Sequence, residues 1–87
     1  MTADRETRIK RLLYRSRSTG TKELDSWLTR FAERSLGAMS KAELDEYERL
    51  LAQPTDALWR WLSGAEPPPA GADGPVARRL RAFRELD

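Results

Sequence analysis

The chain reads as all-α, a single small bundle of about five helices, on three observations. Apolar residues recur at i, i+3, i+4 spacing along most of its length, which is the period of an amphipathic helix. Glycine and proline fall between those runs rather than inside them, and no stretch alternates as a half-buried strand would. With 87 residues, 39% apolar and 34% charged, a thin core under a charged exterior is the architecture the composition can support.

The first helix is expected from about Asp4, as N-cap, to about Arg17, with Ile9, Leu12 and Leu13 on one stripe and Tyr14 beside them. Ser18-Thr19-Gly20-Thr21 breaks it, because glycine takes the positive φ that turns a chain sharply after a helix. The second helix follows at once. Thr21 is its expected N-cap, Glu23 favours the dipole in its first turn, and Leu24, Trp27, Leu28, Phe31 and Ala32 form its inner face. The third carries the clearest start signal, a Ser40-to-Glu43 capping box with Met39 and Leu44 at the positions of a hydrophobic staple. Its predicted inner face is Leu44, Tyr47 and Leu51, with Leu50 adjacent, and Pro54 stops it.

A short fourth helix, capped by Thr55 or Asp56, points Leu58, Trp61 and Leu62 one way and ends at Gly64. Trp59 lies on another side, so one of its two tryptophans is expected to be partly exposed. Residues 65–74 hold three consecutive prolines and two glycines, the composition of a stiff, weakly packed linker. Pro75 then suits the first position of a last helix bearing Val76, Leu80 and Phe83, either loosely held or placed by its neighbours. The domain reading is a helical domain at 1–64, a Pro/Gly linker at 65–74, and a C-terminal helix at 75–87 packing on or near that domain.

The chain has no cysteine and no histidine. That removes disulfides, the usual zinc, haem and iron–sulfur sites, and nucleophilic catalysis by Cys or by a His-activated Ser. The acidic cluster Glu43, Asp45, Glu46 and Glu48 points in several directions around a helix, which fits a solvated face better than a metal site. No catalytic set converges, so the expectation is a binding protein and not an enzyme. No apolar run approaches the roughly 20 residues that span a bilayer, and Asp4 and Glu6 argue against a mitochondrial presequence. A soluble, cytoplasmic protein without membrane insertion is expected.

Charge is distributed unevenly. Residues 1–22 carry seven basic and two acidic side chains, residues 23–73 five and ten, and residues 74–87 four and two. Basic ends around an acidic middle point to a charge-patterned partner surface. Arg5, Arg8, Lys10, Arg11, Arg15 and Arg17 fit a solvated or protein-binding helix face. Nucleic acid ranks below both, for want of an aromatic platform or recognition helix.

Arg11-Leu12-Leu13-Tyr14-Arg15-Ser16-Arg17, followed by Gly20-Thr21-Lys22-Glu23-Leu24-Asp25, resembles the start of the succinate dehydrogenase assembly factors. The resemblance runs on through Phe31, Met39-Ser40, Glu43-Leu44-Asp45-Glu46-Tyr47, Leu50-Leu51, Asp56-Ala57-Leu58-Trp59 and Trp61, covering about residues 8–64. It implies a factor that binds the flavoprotein subunit of succinate dehydrogenase, or a related flavoprotein, and promotes covalent FAD attachment. FAD would belong to the partner, with none bound stably by this chain. The alternatives are a diverged member with another protein client, and a small regulatory or nucleic-acid-binding protein.

The hallmark of that family is an Arg-Gly-x-x-Glu turn between the first two helices. Gly20 and Glu23 match it, whereas Thr19 stands where the family has Arg. The resemblance therefore assigns partner binding to Gly20 and Glu23, with Arg15, Arg17, Lys22 and Thr19 around them. It also implies that an arginine at 19 would strengthen binding through bidentate contacts.

Overall fold

The computed structural model describes residues 2–83. Five α-helices follow in order: α1 Thr2–Ser16, α2 Lys22–Ser35, α3 Lys41–Leu51, α4 Thr55–Ser63 and α5 Pro75–Ala82. Short 3-10 turns at Leu36–Ala38 and Ala70–Ala72 complete the regular structure, and no strand occurs among the described residues. The fold is all-α, as the periodicity requires. The last four residues of the C-terminal helix expected at 75–87 lie outside the described residues. The chain clusters into two compact units, Met1–Ala38 and Met39–Asp87.

The first unit is a helical hairpin in which α1 packs on α2. Leu12, Leu24, Leu28, Phe31, Ala32 and Leu36 are buried in it, together enough apolar surface to hold two helices that would be marginal alone. Two polar ties lock the hairpin. Thr29 Oγ1 donates to the Ser16 carbonyl at 3.4 Å, and Arg5 Nη2 donates to the Gly37 carbonyl at 3.1 Å.

Helix α1 departs from expectation in two ways. Asp4 sits inside its first turn, where the carboxylate complements the dipole, rather than capping it. Tyr14 is 65% exposed instead of joining the stripe. Two residues on from buried Leu12 it is turned by about 200°, onto the opposite side of the helix.

In the second unit α5 packs against both α3 and α4. Met39, Leu44, Tyr47, Leu50, Leu58, Trp61, Leu62, Val76, Ala77 and Leu80 are buried. The last helix is thus placed by its neighbours. The capping box forms fully: Ser40 Oγ accepts from the Glu43 N–H and the Glu43 carboxylate accepts from the Ser40 N–H. Helix α4 takes Pro54 as N-cap, one residue before Thr55 and two before Asp56, the caps expected, and closes at Gly64 with φ +86°. Trp59 is 36% exposed whereas Trp61 is buried, and Trp61 Nε1 has no hydrogen-bond partner among the described residues.

Helix α3 corrects two sequence readings with one cause. Leu50 is buried and Leu51 only half-buried, the reverse of the expected order. Glu43, Glu46 and Leu50 share one i, i+3, i+7 stripe, and α5 lies along it. Arg79 Nη2 donates to Glu43 Oε2 at 2.6 Å, and Glu46 Oε2 accepts from the Ala77 N–H at 3.0 Å. Two of the four acidic residues read as a solvated face are therefore fasteners for the last helix.

Residues 65–74 contain no buried residue. The stretch is nonetheless tied at both ends. Arg60 Nε donates to Glu66 Oε1 at 3.2 Å, and Asp73 Oδ1 accepts from Arg81 Nη2 at 3.1 Å.

Candidate functional site: the turn between α1 and α2

At the end of α1, side-chain hydroxyls bond back to the helix's own carbonyls. The buried Ser16 hydroxyl donates to the Leu12 carbonyl at 2.8 Å, and Ser18 Oγ donates to the Tyr14 carbonyl at 3.0 Å. The Arg17 and Ser18 amides close 3-10-like bonds to Tyr14 and Arg15, each at 3.1 Å. Gly20 then takes φ +97°. A Cβ built on it would meet nothing within 4 Å, so the requirement for glycine here is the sign of φ and not a lack of room.

The six residues singled out from the sequence all fall in or beside this turn. Arg15 lies in the last turn of α1 and is half-buried, and Arg17 is exposed just past its end. Lys22 and Glu23 are the first two residues of α2, and both are exposed. Gly20 is exposed between them. What the turn offers is an exposed backbone bend with one carboxylate and two cations at the mouth of a helix.

Thr19 differs from the other five. It is half-buried, and its N–H donates to Asp25 Oδ1 at 2.8 Å. Its hydroxyl donates to the same oxygen and accepts from the Thr21 N–H at 3.3 Å. Thr21 is the N-cap of α2 by backbone, but its side chain makes no cap bond. Asp25, in the first turn of α2, supplies the anchoring carboxylate instead. Sequence reasoning missed Asp25 as a functional position. The available signal was an acid four residues after a candidate N-cap, within reach of the chain entering the helix.

Three ionisable groups on α3 and α4 have displaced pKa values. The Ser40 backbone N–H, aided by the Arg79 guanidinium, holds the Glu43 carboxyl below its ordinary range. The Arg60 side chain, with the Ala57 backbone N–H, lowers Asp56, and Arg60 is raised in turn by Asp56 and Glu66. Among the described residues no group of three or more Asp or Glu side chains is arranged to hold a metal ion. No helix among them is long and apolar enough to cross a membrane.

Comparison with known proteins is consistent in direction. The mitochondrial succinate dehydrogenase assembly factor 2 of Mycosarcoma maydis is 44% identical over 89 aligned residues, covering 95% of this chain and 37% of that protein. The Yarrowia lipolytica protein of the same name is 38% identical, covering 92% of this chain and 58% of its own length. That of Danio rerio is 36% identical, covering 85% and 48%. The chain thus spans between about a third and three fifths of the length of these relatives. No solved structure matches it. Residues 10–84, including the whole turn, match the family described as flavinator of succinate dehydrogenase, and the chain belongs to that family.

Proposed function

We propose that this chain binds the flavoprotein subunit of succinate dehydrogenase, or a related flavoprotein, and promotes covalent attachment of its FAD. The observation that supports this most strongly is family membership across residues 10–84, joined to the exposure of Gly20 and Glu23 at the one turn where the family motif falls. In this reading the chemistry belongs to the partner, which carries both the FAD and the histidine that receives it. The chain itself is not an enzyme and holds no FAD stably. Its residues act by holding the flavoprotein in a conformation where the reacting groups meet, and orientation alone supplies large rate effects.

Each site residue has a role set by its chemistry. Gly20 lets a partner backbone approach, since it carries no side chain and has an open surface. Glu23 accepts hydrogen bonds as a carboxylate at the positive end of α2. Arg17 and Lys22 add exposed positive charge, and Arg15 frames the end of α1. We place the chain in the cytoplasm, following the sequence reading, although the three relatives above are all named as mitochondrial. Cell fractionation decides that point.

The test is production of the flavoprotein subunit with and without this chain, followed by denaturation and measurement of flavin fluorescence retained on the protein. The expected result is markedly more covalent flavin when the chain is present. Glu23→Ala should lower flavinylation at limiting chain concentration by roughly tenfold, the order expected from losing a charged acceptor at an interface. Its melting temperature should fall only slightly, because a first-turn dipole contribution is about 0.3–1 kcal/mol. Equal flavin attachment with and without the chain would refute the assignment.

A further inference from the structure

The turn is closed by a pair of which the family motif contains neither member in this form. We infer that the clasp between Thr19 and Asp25 holds the Gly20 turn in the shape that meets the flavoprotein, which makes Asp25 a positioning residue for docking. The inference rests on the function proposed above and adds how the site is kept ready.

Four bonds bracket Gly20. Asp25 Oδ1 accepts from both the N–H and the hydroxyl of Thr19. Thr19 Oγ1 accepts from the Thr21 N–H at 3.3 Å, and the Asp25 N–H donates to the Thr21 carbonyl at 2.8 Å. The residue before the glycine and the residue after it are therefore both fastened to one carboxylate or to its own backbone. Bonds to an ionised acceptor are the stronger kind. The carboxylate is itself well seated, since Asp25 follows Leu24 and precedes Leu28, both fully buried on α2.

Nothing among the described residues lies within 4 Å of a Cβ built on Gly20, so the bend gains no support from that side. Glycine is also the residue with most backbone freedom to lose. A loop of this kind binds weakly unless its freedom is removed beforehand, and rigidifying a binding loop in its bound shape raises affinity by lowering that cost. Thr19 thus contributes without carrying charge. An arginine at 19 would bring a cation to the surface but would give up both bonds made by the hydroxyl.

The experiment compares the full chain with Thr19→Val, which keeps the shape and removes the hydroxyl, Thr19→Ser, which keeps the hydroxyl, and Asp25→Ala. Three quantities are read on each: amide exchange at positions 19 and 21, the chain concentration that half-saturates flavinylation of the succinate dehydrogenase flavoprotein, and the maximal rate. Thr19→Val and Asp25→Ala should each speed exchange about tenfold or more. Each should also raise the half-saturating concentration about tenfold, equivalent to about 1.4 kcal/mol, with the maximal rate changed less than twofold. Thr19→Ser should recover most of both.

Unchanged exchange in Thr19→Val would show that the clasp does not hold the turn, and the inference fails. Faster exchange with an unaltered half-saturating concentration would show that the clasp shapes only the free chain, and the docking role fails. A native chain that leaves flavinylation unchanged overturns the proposed function, and the docking role with it, before any variant is compared.

Discussion

Two glycines in this chain precede helices, and each junction is fastened by a carboxylate, yet the two are built to opposite ends. Gly20 has φ +97° and empty space around it, and its carboxylate, Asp25, comes from the helix that the turn begins. Gly74 has an ordinary φ of −93° and no space at all. A Cβ there would lie 2.5 Å from Glu46 Oε2, and that carboxylate comes from α3, 31 residues from the Ala77 amide that it caps. A local carboxylate leaves the bend open to a partner. A distant one spends the same kind of interaction on joining two helices, and the surface it covers is lost to binding. The comparison separates a joint of the fold from an open turn that can serve as a candidate site.

The difference is best broken at Gly74, where the largest effect is expected. Gly74→Ala must displace the Glu46 carboxylate and leave the Ala77 amide of a buried residue without its acceptor. An unsatisfied buried donor costs about 1–3 kcal/mol, partly offset by roughly 0.4–1 kcal/mol from the stiffer unfolded chain. A fall in denaturation midpoint with flavinylation preserved at equal folded concentration is the expected outcome. In a Glu46→Ala background the same substitution should cost much less, because its clash partner is gone, and the double-mutant cycle reads that coupling directly.

Gly20→Ala should behave the other way. It meets no neighbour, so its cost is the left-handed backbone alone, about 1–2 kcal/mol. Because that strain can be relieved by reshaping an exposed turn, flavinylation should drop more than the midpoint does. A chain with Gly20→Ala that melts lower but docks normally would erase the proposed contrast between the two glycines.

The smallest effect is a pH dependence on the fastened side. The folded state holds Glu43 below its ordinary pKa, first through the Ser40 N–H and then through Arg79. Protons therefore bind the unfolded chain more readily than the folded one. The stability this gives is fully present above the unfolded carboxylate value, about pH 4, and is lost as pH falls through the lower folded value. Acid titration of unfolding should be measurably shallower in Glu43→Gln than in the native chain. Identical acid limbs would remove Glu43 from the list of fasteners.

Most of the fold was legible because its signals are local. The Ser40 box, Pro75 at the first position of α5, the positive φ at Gly64 and the break at Gly20 each depend on a few consecutive residues. The turn that holds the candidate site was legible for the same reason, since the Gly20 break and the Gly20–Glu23 spacing are read along the chain. What escaped was decided across space. Glu46 reaches Ala77 over 31 residues and Glu43 reaches Arg79 over 36, and nothing in the pattern around either acid announces its partner. The burial of Leu50 in place of Leu51 follows from α5 lying along that stripe. Asp25 is the intermediate case: its partner is only six residues away, but a threonine hydroxyl is too common to flag.

The three tryptophans give the chain an optical property that none of this required. Trp27 is half-buried on α2, whereas Trp59 and Trp61 sit two residues apart on α4, one partly in water and one largely withdrawn from it. Emission from Trp61 alone should be blue-shifted and resistant to aqueous quenchers, and emission from Trp59 alone red-shifted and readily quenched. Because Trp27 belongs to the unit that carries the turn and the other two to the unit that carries the fasteners, single-tryptophan chains turn intrinsic fluorescence into a separate thermometer for each half. Whether Met1–Ala38 and Met39–Asp87 melt as one or in sequence can be read without attaching any dye.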